Sequence, residues 1–525
     1  MRDGYNKSGA AGAFSMVLLL AAGAAAADRD LRLVEAARSQ DQQQVRALLN
    51  QHADANIRAN DGSTALLWAA HWNDVVAADL SLRAGADANA ANDFRITPLS
   101  LACTNASASL VELLLKAGAS PRTPIATGET PIMTCANSGS ADAVRMLLAR
   151  GADVNAKEPS QNQTALMWAA SGRHPEVVRT LIEAGADLQA RTRKGFSALH
   201  FAAREGDLQS TKLLLAAGVN INIRSQPEPA EAGRGTADGP AGRTAAGGGA
   251  AGTARGPAYQ ATLSAGSTPL LVATTRGQVA LALFLLEHGA DPNVGDAGFT
   301  PLHWAAGTWE GGVSNPVYGF SDPMSGIPRR QDKLQLVKAL LAHGANPNGR
   351  MTRRPPGFVG GYEDAAGATP LLLASAAADV EMMRLLLAAG ADHALVTDTK
   401  TTAVMAASGL NRGIGESPIT EDQALAAVRL LLGLGADGKG ATTNGENALF
   451  GAAYRGWNTL LALLIEKGAN VNAVSKASVT PWLAASGFGD RLGGVLYNKE
   501  GADLLLKHGA DPKLGRPCQA QNKCR

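Results

Sequence analysis

The chain has 525 residues, of which 46% are apolar and only 4% aromatic, and its formal net charge is +2. A length above about 300 residues argues against one small globular domain and favours several domains or a repeat array. The near-balanced charge gives no support to an extended basic surface, so we expect no nucleic-acid partner. Four cysteines are too few for a disulfide-stabilised scaffold.

Residues 1–27 have the pattern of an export signal. Arg2 and Lys7 provide a weakly basic start, an apolar stretch covers 10–22, and Ala25-Ala26-Ala27 matches a small-residue cleavage site. We predict cleavage, a periplasmic or secreted mature protein and no stable membrane insertion. The alternative is a retained anchor, which is disfavoured because a bilayer span needs about 20 apolar residues.

A short motif, Gly-Ala-Asp or a close variant, recurs along almost the whole chain. The first steps between successive copies are 33, 33, 33, 34 and 33 residues, whereas one later step reaches 71. Such fixed-period similarity indicates stacked repeats, because one helix pair cannot bury its own apolar face. The copies begin at His52, Gly85, Gly118, Gly151, Gly185, Gly218, Gly289, Gly344, Gly390, Gly435, Gly468 and Gly509.

The residues between two copies of the motif predict a pair of helices. In Thr300-Pro301, threonine is a favourable N-cap and proline suits the first helical turn. Leu302, Ala305 and Ala306 lie at positions i, i+3 and i+4, on one helical face. A second helix follows, and Gly344 ends it because glycine adopts the left-handed conformation at little cost.

The period and its phrases resemble the ankyrin repeat. These phrases are TPLSLAC at Thr97, TALMWAA at Thr164, TPLHWAA at Thr300 and TPLLLAS at Thr369. The resemblance covers essentially the whole chain after residue 27. It implies an all-α repeat solenoid of about twelve helix pairs, joined by β-turn or hairpin loops in one curved array. Ankyrin stacks are generally non-enzymatic binding modules, so it also implies a protein or peptide partner.

The irregular later steps divide the array. We predict repeats one to six over 28–226, a disordered Gly/Ala/Pro-rich loop over 227–262, repeats seven to twelve over 263–513 and a tail over 514–525. The array also contains insertions: ordered loops on rigid scaffolds often carry function, although neutral drift accounts for such insertions equally well. The predicted insertions lie near 307–331, 351–366, 409–421 and 487–500, and three of the four fall between paired helices.

The residue two positions after the motif leucine lies about 200° around the helix from it. We predict that it faces the concave groove of the stack, where tryptophan would suit an interface hot spot. The alternative is a side chain packed on the adjacent first helices and half exposed. Trp482 replaces the motif leucine itself and is predicted to be core. With aromatic residues of the insertion in repeat eight, the predicted partner-binding residues are Trp68, Trp72, Trp168, Phe201, Trp304, Trp309, Tyr318 and Phe320.

The chain lacks the motifs that carry catalysis or cofactor binding. It has no HExxH, CxxC pair, phosphate-binding loop or Gly-x-Ser-x-Gly elbow, and its nine histidines occupy regular places in the repeats. We therefore expect no catalytic site, metal or cofactor.

The four cysteines fall into two pairs. Cys518 and Cys524 are predicted to form a disulfide in the tail of an exported protein. Cys103 and Cys135 replace alanines of first helices, so we predict buried small apolar residues. A disulfide between them is the less favoured alternative.

Three functions remain open from the sequence. The leading hypothesis is a monomeric exported scaffold that holds a protein or peptide in its concave groove, with the insertions as side walls. The second is an enzyme or small-ligand site built from the inserted loops of repeats eight, ten and twelve. The third is a secreted effector acting on host proteins. Converging carboxylates would favour the second function, from among Glu310, Asp322, Glu416, Glu421 and Asp490.

Overall fold

The computed structural model describes residues 30–226, 265–307, 327, 329–353, 366–410, 419–488 and 497–515. Every regular element within these ranges is an α-helix, which confirms the predicted all-α repeat fold. The chain divides into two compact units, residues 1–98 and 99–525. None of the described helices is long and apolar enough to cross a membrane.

The helices occur in pairs, each with a first helix, a tight turn and an antiparallel second helix. The first unit contains α1 (Arg32–Arg38), α2 (Gln42–Asn50), α3 (Ala65–His71) and α4 (Val75–Arg83). Helix α5 (Pro98–Thr104) begins at the boundary between the units.

The second unit continues the same alternation of first and second helices. Up to residue 226 it contains α6 (Ala108–Lys116), α7 (Pro131–Ser138), α8 (Ala141–Ala149), α9 (Ala165–Ser171), α10 (Pro175–Glu183), α11 (Ala198–Glu205) and α12 (Leu208–Ala216). It then contains α13 (Pro269–Thr275), α14 (Val279–Glu287), α15 (Pro301–Ala306), α16 (Arg330–Ala342), α17 (Pro370–Ala376) and α18 (Val380–Ala388). The last described helices are α19 (Ala403–Ala407), α20 (Glu421–Gly433), α21 (Ala448–Arg455), α22 (Asn458–Glu466), α23 (Pro481–Ala485) and α24 (Lys499–Lys507).

Hydroxyl, carboxylate and amide side chains cap most of the helices at their start. The Thr268 hydroxyl accepts a hydrogen bond from the Leu271 amide at 3.2 Å, and Thr369 does the same for Leu372 at 3.3 Å. Each side chain satisfies one of the four amides that a helix start leaves without an intrahelical partner. Asp379 caps second helix α18 in the same manner. The cap predicted from the threonine-proline phrase is therefore present.

Left-handed glycines end the second helices. Gly344 has φ 84° and Gly390 has φ 89°, and a Cβ atom built on either residue would meet nothing within 4 Å. The backbone conformation, and not crowding, therefore requires glycine at these positions. In the first repeat His52 adopts φ 59° at this point, a conformation that costs a side-chain-bearing residue more.

The core lies between the helix layers and between successive repeats. Leu302, Ala305 and Leu340 are each 0% exposed, as the helical periodicity predicts. Small alanines on the first helices allow neighbouring helices to approach closely, so each repeat buries the apolar face of the next. Stability is therefore shared along the stack.

An asparagine ladder connects the turns of neighbouring repeats. The Asn348 side chain donates to the Gly390 carbonyl at 2.9 Å and accepts from the Asp392 amide at 2.7 Å. Asparagine suits this position because its amide presents both a donor and an acceptor. The same pair of bonds is made by Asn56, Asn155, Asn222, Asn293, Asn348 and Asn472.

The ladder predicts the effect of two opposite substitutions. Asn348→Ala should lower the free energy of unfolding by about 1–2 kcal/mol, because two exposed hydrogen bonds are lost. Repeat nine carries Ala394 at the equivalent position, so Ala394→Asn should raise stability by a smaller amount. Urea unfolding followed by circular dichroism measures both changes. Identical midpoints for wild type and both variants would show that the ladder has no energetic role.

Three of the predicted insertions fall between the helices of a pair. Helix α15 ends at Ala306 and α16 begins at Arg330, and the same interruption separates α19 from α20 and α23 from α24. Helices α16 and α20 have 13 residues each, whereas α18 between them has 9. The predicted disordered loop over 227–262 lies outside the described residues.

Candidate protein-binding face

Backbone hydrogen bonds join several neighbouring turns that precede first helices in the second unit. The Arg193 amide donates to the Gln161 carbonyl at 2.9 Å, and the Asp398 amide donates to that of Ala366 at 3.0 Å. Thr443 and Lys476 make the same kind of bond to Thr399 and Asn444, so these turns and the first helices beside them present an ordered face. This face is the candidate site for a macromolecular partner.

Three of the aromatic residues predicted for the groove are buried. Trp68 is 6% exposed, Phe201 is 9% exposed and Trp304 is 5% exposed. Their burial agrees with the alternative interpretation, in which the side chain packs on the adjacent first helices, and contact of these residues with a partner stays a prediction. First helices of adjacent repeats approach closely enough to cover a large ring on both sides, which a single-helix projection does not include.

Arginine side chains contribute to this burial. The guanidinium of Arg204 lies 4.9 Å from the centre of the Phe201 ring, and that of Arg38 lies 5.5 Å from the Trp68 ring in the first unit. Such cation–π contacts are favourable and place charge above the ring. Each guanidinium also pairs with a carboxylate, Arg204 with Glu205 at 2.7 Å and Arg38 with Glu35 at 3.8 Å, so these contacts cover the rings without adding net charge.

Trp168 and Trp72 retain exposed surface. Trp168 on α9 is half-buried, and its indole nitrogen has no hydrogen-bond partner in the described part of the chain. Trp72 is 44% exposed and donates from its indole nitrogen to the Arg38 carbonyl at 3.0 Å. Of the five predicted partner-binding residues that the structure describes, these two have the accessible area that an interface anchor needs.

The remaining predicted residues have other outcomes. Trp309, Tyr318 and Phe320 lie outside the described residues, as do Cys518 and Cys524. Trp482 packs against the core but keeps partial exposure, so it is less buried than its place at the motif leucine predicts.

Two buried histidines connect repeats. His303 accepts at Nδ1 from the Thr300 amide at 3.2 Å, and its Nε2 lies 2.9 Å from the Gly349 carbonyl. His200 makes the equivalent contacts with Ser197 and the Ser267 carbonyl. An Nδ1 acceptor and an Nε2 donor correspond to the neutral imidazole. The structural role predicted for these two histidines is therefore to cap a first helix and to bond it to the next repeat.

Burial shifts the pKa of both histidines. Loss of solvation lowers the pKa of His200 from 6.5 to about 4, with the Ser267 carbonyl opposing this effect. Burial also lowers the pKa of His303 to about 4, and its hydrogen bonds with the backbone of Gly349 and Ala368 act in the opposite direction. Desolvation disfavours the charged form of an imidazole. Both rings are therefore neutral at pH 7.

Two carboxylates in neighbouring turns show opposite shifts. Burial acts to raise the pKa of Glu158, but hydrogen bonds from Ser160, Gln163 and Gln161 outweigh it and hold the pKa below its usual value. Burial raises the pKa of Glu129, which the Thr127 hydrogen bond opposes and the nearby charge of Glu158 reinforces. The Glu158 carboxylate is occupied by its own turn, so its role is to shape the face.

A disulfide connects Cys103 and Cys135, with a Cα–Cα distance of 4.4 Å. Both residues are 0% exposed, as predicted, but treating the disulfide as the less favoured alternative was wrong. The cysteines replace alanines on first helices α5 and α7 of adjacent repeats. Close helix packing brings their Cα atoms within the range that a disulfide spans, a distance that the sequence does not contain.

The described residues give no support for a metal site. No group of three or more His, Cys, Asp or Glu side chains is arranged to hold a metal ion in the ranges that the structure covers. Of the five carboxylates considered for an inserted-loop site, only Glu421 is described. It accepts from the Thr459 and Leu460 amides at 2.6 and 3.0 Å and so caps the neighbouring helix α22.

The repeat geometry agrees with comparisons to known families. A model of three ankyrin repeats matches residues 33–122, 73–158 and 156–225. A model of the single ankyrin repeat matches residues 265–297 and 366–398. The chain is an ankyrin-repeat protein. The family most often mediates protein–protein interaction, so the coarse function is that of an interaction scaffold.

Among solved structures, this ankyrin-repeat protein is similar to the human ASB11 ankyrin repeat domain. The two share 27% sequence identity over 37% of this chain and 86% of that domain, with a TM-score of 0.34. The assignment to the family therefore rests on the repeat matches and the helix pairs.

Proposed function

We propose that this ankyrin-repeat protein is a non-enzymatic scaffold that binds a protein or peptide partner outside the cytoplasm. The observation that carries the proposal is the ordered face of first helices and turns, with the partly exposed Trp168 on α9. Rigid scaffolds that present aromatic anchors bind partners at a low entropic cost, because little has to become ordered on association.

The disulfide supports the extracytoplasmic part of this proposal. Disulfides persist in oxidising compartments and are rare in the cytosol of most organisms. The Cys103–Cys135 bond is compatible with the export signal predicted over residues 1–27. Thiol alkylation of cell fractions under denaturing conditions tests this point: unreactive Cys103 and Cys135 in a periplasmic or secreted fraction are expected, and a reduced cytoplasmic pool contradicts it.

Trp168 is the residue to test for partner binding. Trp168→Ala should weaken binding of a partner, recovered by crosslinking in native cells, by about tenfold or more, because tryptophan truncation at hot spots commonly removes at least 2 kcal/mol. Binding is measured by calorimetry on the purified pair. Unchanged affinity would remove Trp168 from the interface.

Trp304→Ala is the matched comparison for that test. Trp304 is 5% exposed, so its truncation should lower stability by about 3–5 kcal/mol through cavity formation. Trp168→Ala should have a smaller effect on the unfolding midpoint. If the two variants lose binding only in proportion to stability, the loss comes from the fold and the proposed anchor is wrong.

A further inference from the structure

The first helices of repeats two to twelve each place one residue, two positions after the motif leucine, in what we call the groove row. Its members in repeats three to five are Leu101, Thr134 and Trp168, and all three keep partial exposure. Every member from Phe201 to Ala484 is buried. In the second unit the row is therefore open along three successive first helices, α5, α7 and α9.

The open part of the row has its low point at α7. Threonine is shorter than leucine and tryptophan, so Thr134 lies between two taller side chains. Its hydroxyl donates to the Thr130 carbonyl at 3.4 Å, so its polar atom is satisfied within α7. The indole nitrogen of Trp168 is buried, and the exposed part of that ring is therefore carbon. The notch, formed by Leu101, Thr134 and Trp168, thus presents mainly apolar surface.

The helices that carry the notch have no charged side chains. Their sequences are PLSLACT in α5, PIMTCANS in α7 and ALMWAAS in α9. The next first helix, α11, differs because it carries the paired Arg204 and Glu205. Burying a charged group against an apolar surface is unfavourable unless the charge is paired. A partner segment that enters the notch is therefore expected to be uncharged.

Charges around the notch offset one another. Residues 99–107 of repeat three contain none. Residues 117–139 and 151–174 hold the turns and first helices of repeats four and five, and they contain three cations and three carboxylates: Arg122, Lys157, Arg173, Glu129, Asp153 and Glu158. The surroundings therefore favour neither an acidic nor a basic segment, which is the charge complement of an uncharged one.

The disulfide restrains the helices on which the notch is built. Cys103 is two residues after Leu101 on α5, and its bonding partner Cys135 directly follows Thr134 on α7. The bond limits the separation of α5 and α7. Helix α9 packs against α7, where small residues such as the buried Ala169 allow a close approach. A preformed site of this kind loses less conformational entropy when a partner binds.

We propose that the notch receives an aliphatic side chain from an uncharged segment of the partner. Leucine occupies the groove row in repeats three and nine, at Leu101 and Leu373, so the shorter Thr134 leaves room for a side chain of that kind. Its contact with the Trp168 ring and Leu101 removes apolar surface of both molecules from water. The inference rests on the proposed partner-binding function and adds the position and the chemistry of the contact.

A library of short random peptides displayed on phage tests the chemistry of the occupant. Peptides are selected on the full-length chain, synthesised, and their Kd values measured by calorimetry. They are expected to share a leucine, isoleucine or methionine without charged neighbours. Thr134→Leu should weaken their binding about tenfold or more, because the new side chain takes the place of the peptide's own. Thr134→Val should bind as wild type, because valine has nearly the shape of threonine.

Matched variants separate binding from folding. Thr134→Leu should not lower the unfolding midpoint, because the site is partly open and leucine is the better helix former. Thr459→Leu makes the same change at an exposed position of α22 and should bind as wild type. Peptides that bind Thr134→Leu as tightly as wild type, peptides that share a charged residue, or no enriched peptide at all would each overturn the notch assignment. The proposed function has its separate test in the native partner and Trp168→Ala.

Discussion

Replacing Cys103 and Cys135 with alanine is expected to lower the free energy of unfolding by about 3–4 kcal/mol. The disulfide closes a loop with a sequence separation of 32 residues. Cross-linking a loop of this size removes conformational entropy from the unfolded chain, and the chain-entropy model gives an effect of about that magnitude. Alanine is the natural replacement, because it occupies the equivalent place in other first helices.

Urea unfolding with and without a reductant measures this effect. The wild type should lose stability when the reductant is present, whereas the double alanine variant should be insensitive to it. A Cys518→Ala, Cys524→Ala variant is the control, because these residues belong to the tail and should leave the reductant sensitivity unchanged. Hydrogen exchange localises the loss, which is expected in α5 to α8 since repeat arrays respond to neighbour contacts. An unfolding midpoint of the wild type that does not change when reductant is added would contradict the prediction.

Acidification from pH 7 to pH 5 is expected to destabilise the fold through His200 and His303. The unfolded chain protonates each imidazole near pH 6.5, whereas the folded protein keeps the pKa of each ring at about 4. Between these values the unfolded state binds more protons, so stability decreases as the pH falls. The stabilisation is complete above about pH 6.5, and each histidine should cost about 2 kcal/mol by pH 5.

The double variant His200→Gln, His303→Gln should be less stable at pH 7 but should lose the pH dependence in this range. Restricting the measurement to pH 5 and above keeps most carboxylates ionised, so the histidine contribution is isolated. His508→Gln removes an exposed histidine and is the control, which should follow the wild-type curve. The same slope in wild type and double variant would mean that the two rings titrate freely in the folded state.

The contacts of the two histidines indicate which part of the stack should lose stability in acid. His200 contacts the Ser267 carbonyl in the following repeat, and His303 contacts the turn that leads from repeat eight to repeat nine. Protonating either ring removes the acceptor at Nδ1 that its helix cap uses. Acid should therefore weaken these two junctions before it affects repeats without a capping histidine.

Much of the fold could be predicted from the sequence. The recurring Gly-Ala-Asp motif and the threonine-proline phrase are local signals, because a left-handed glycine and an N-cap act within a few residues of themselves. The helix pairs, the burial of Leu302 and Leu340 and the structural role of His200 and His303 followed from such signals. Interruptions of the period also indicated that three insertions lie between paired helices.

The candidate site required the tertiary structure. Exposure of Trp168 and burial of Trp304 depend on how closely neighbouring first helices pack, and both residues have the same place in their repeats. The Cys103–Cys135 bond depends on a distance between two repeats, which no local pattern reports. Asparagine recurs at this position in the sequence, but only the structure shows that its side chain bonds to the turn of the next repeat.

The sequence alone therefore determined the repeat, its period and the helix pair within it, because each rests on interactions between residues close together in the chain. Only the tertiary structure decided which bulky side chains remain accessible and which cysteines pair. Those properties arise between repeats about 33 residues apart, where small differences in helix packing change what is exposed.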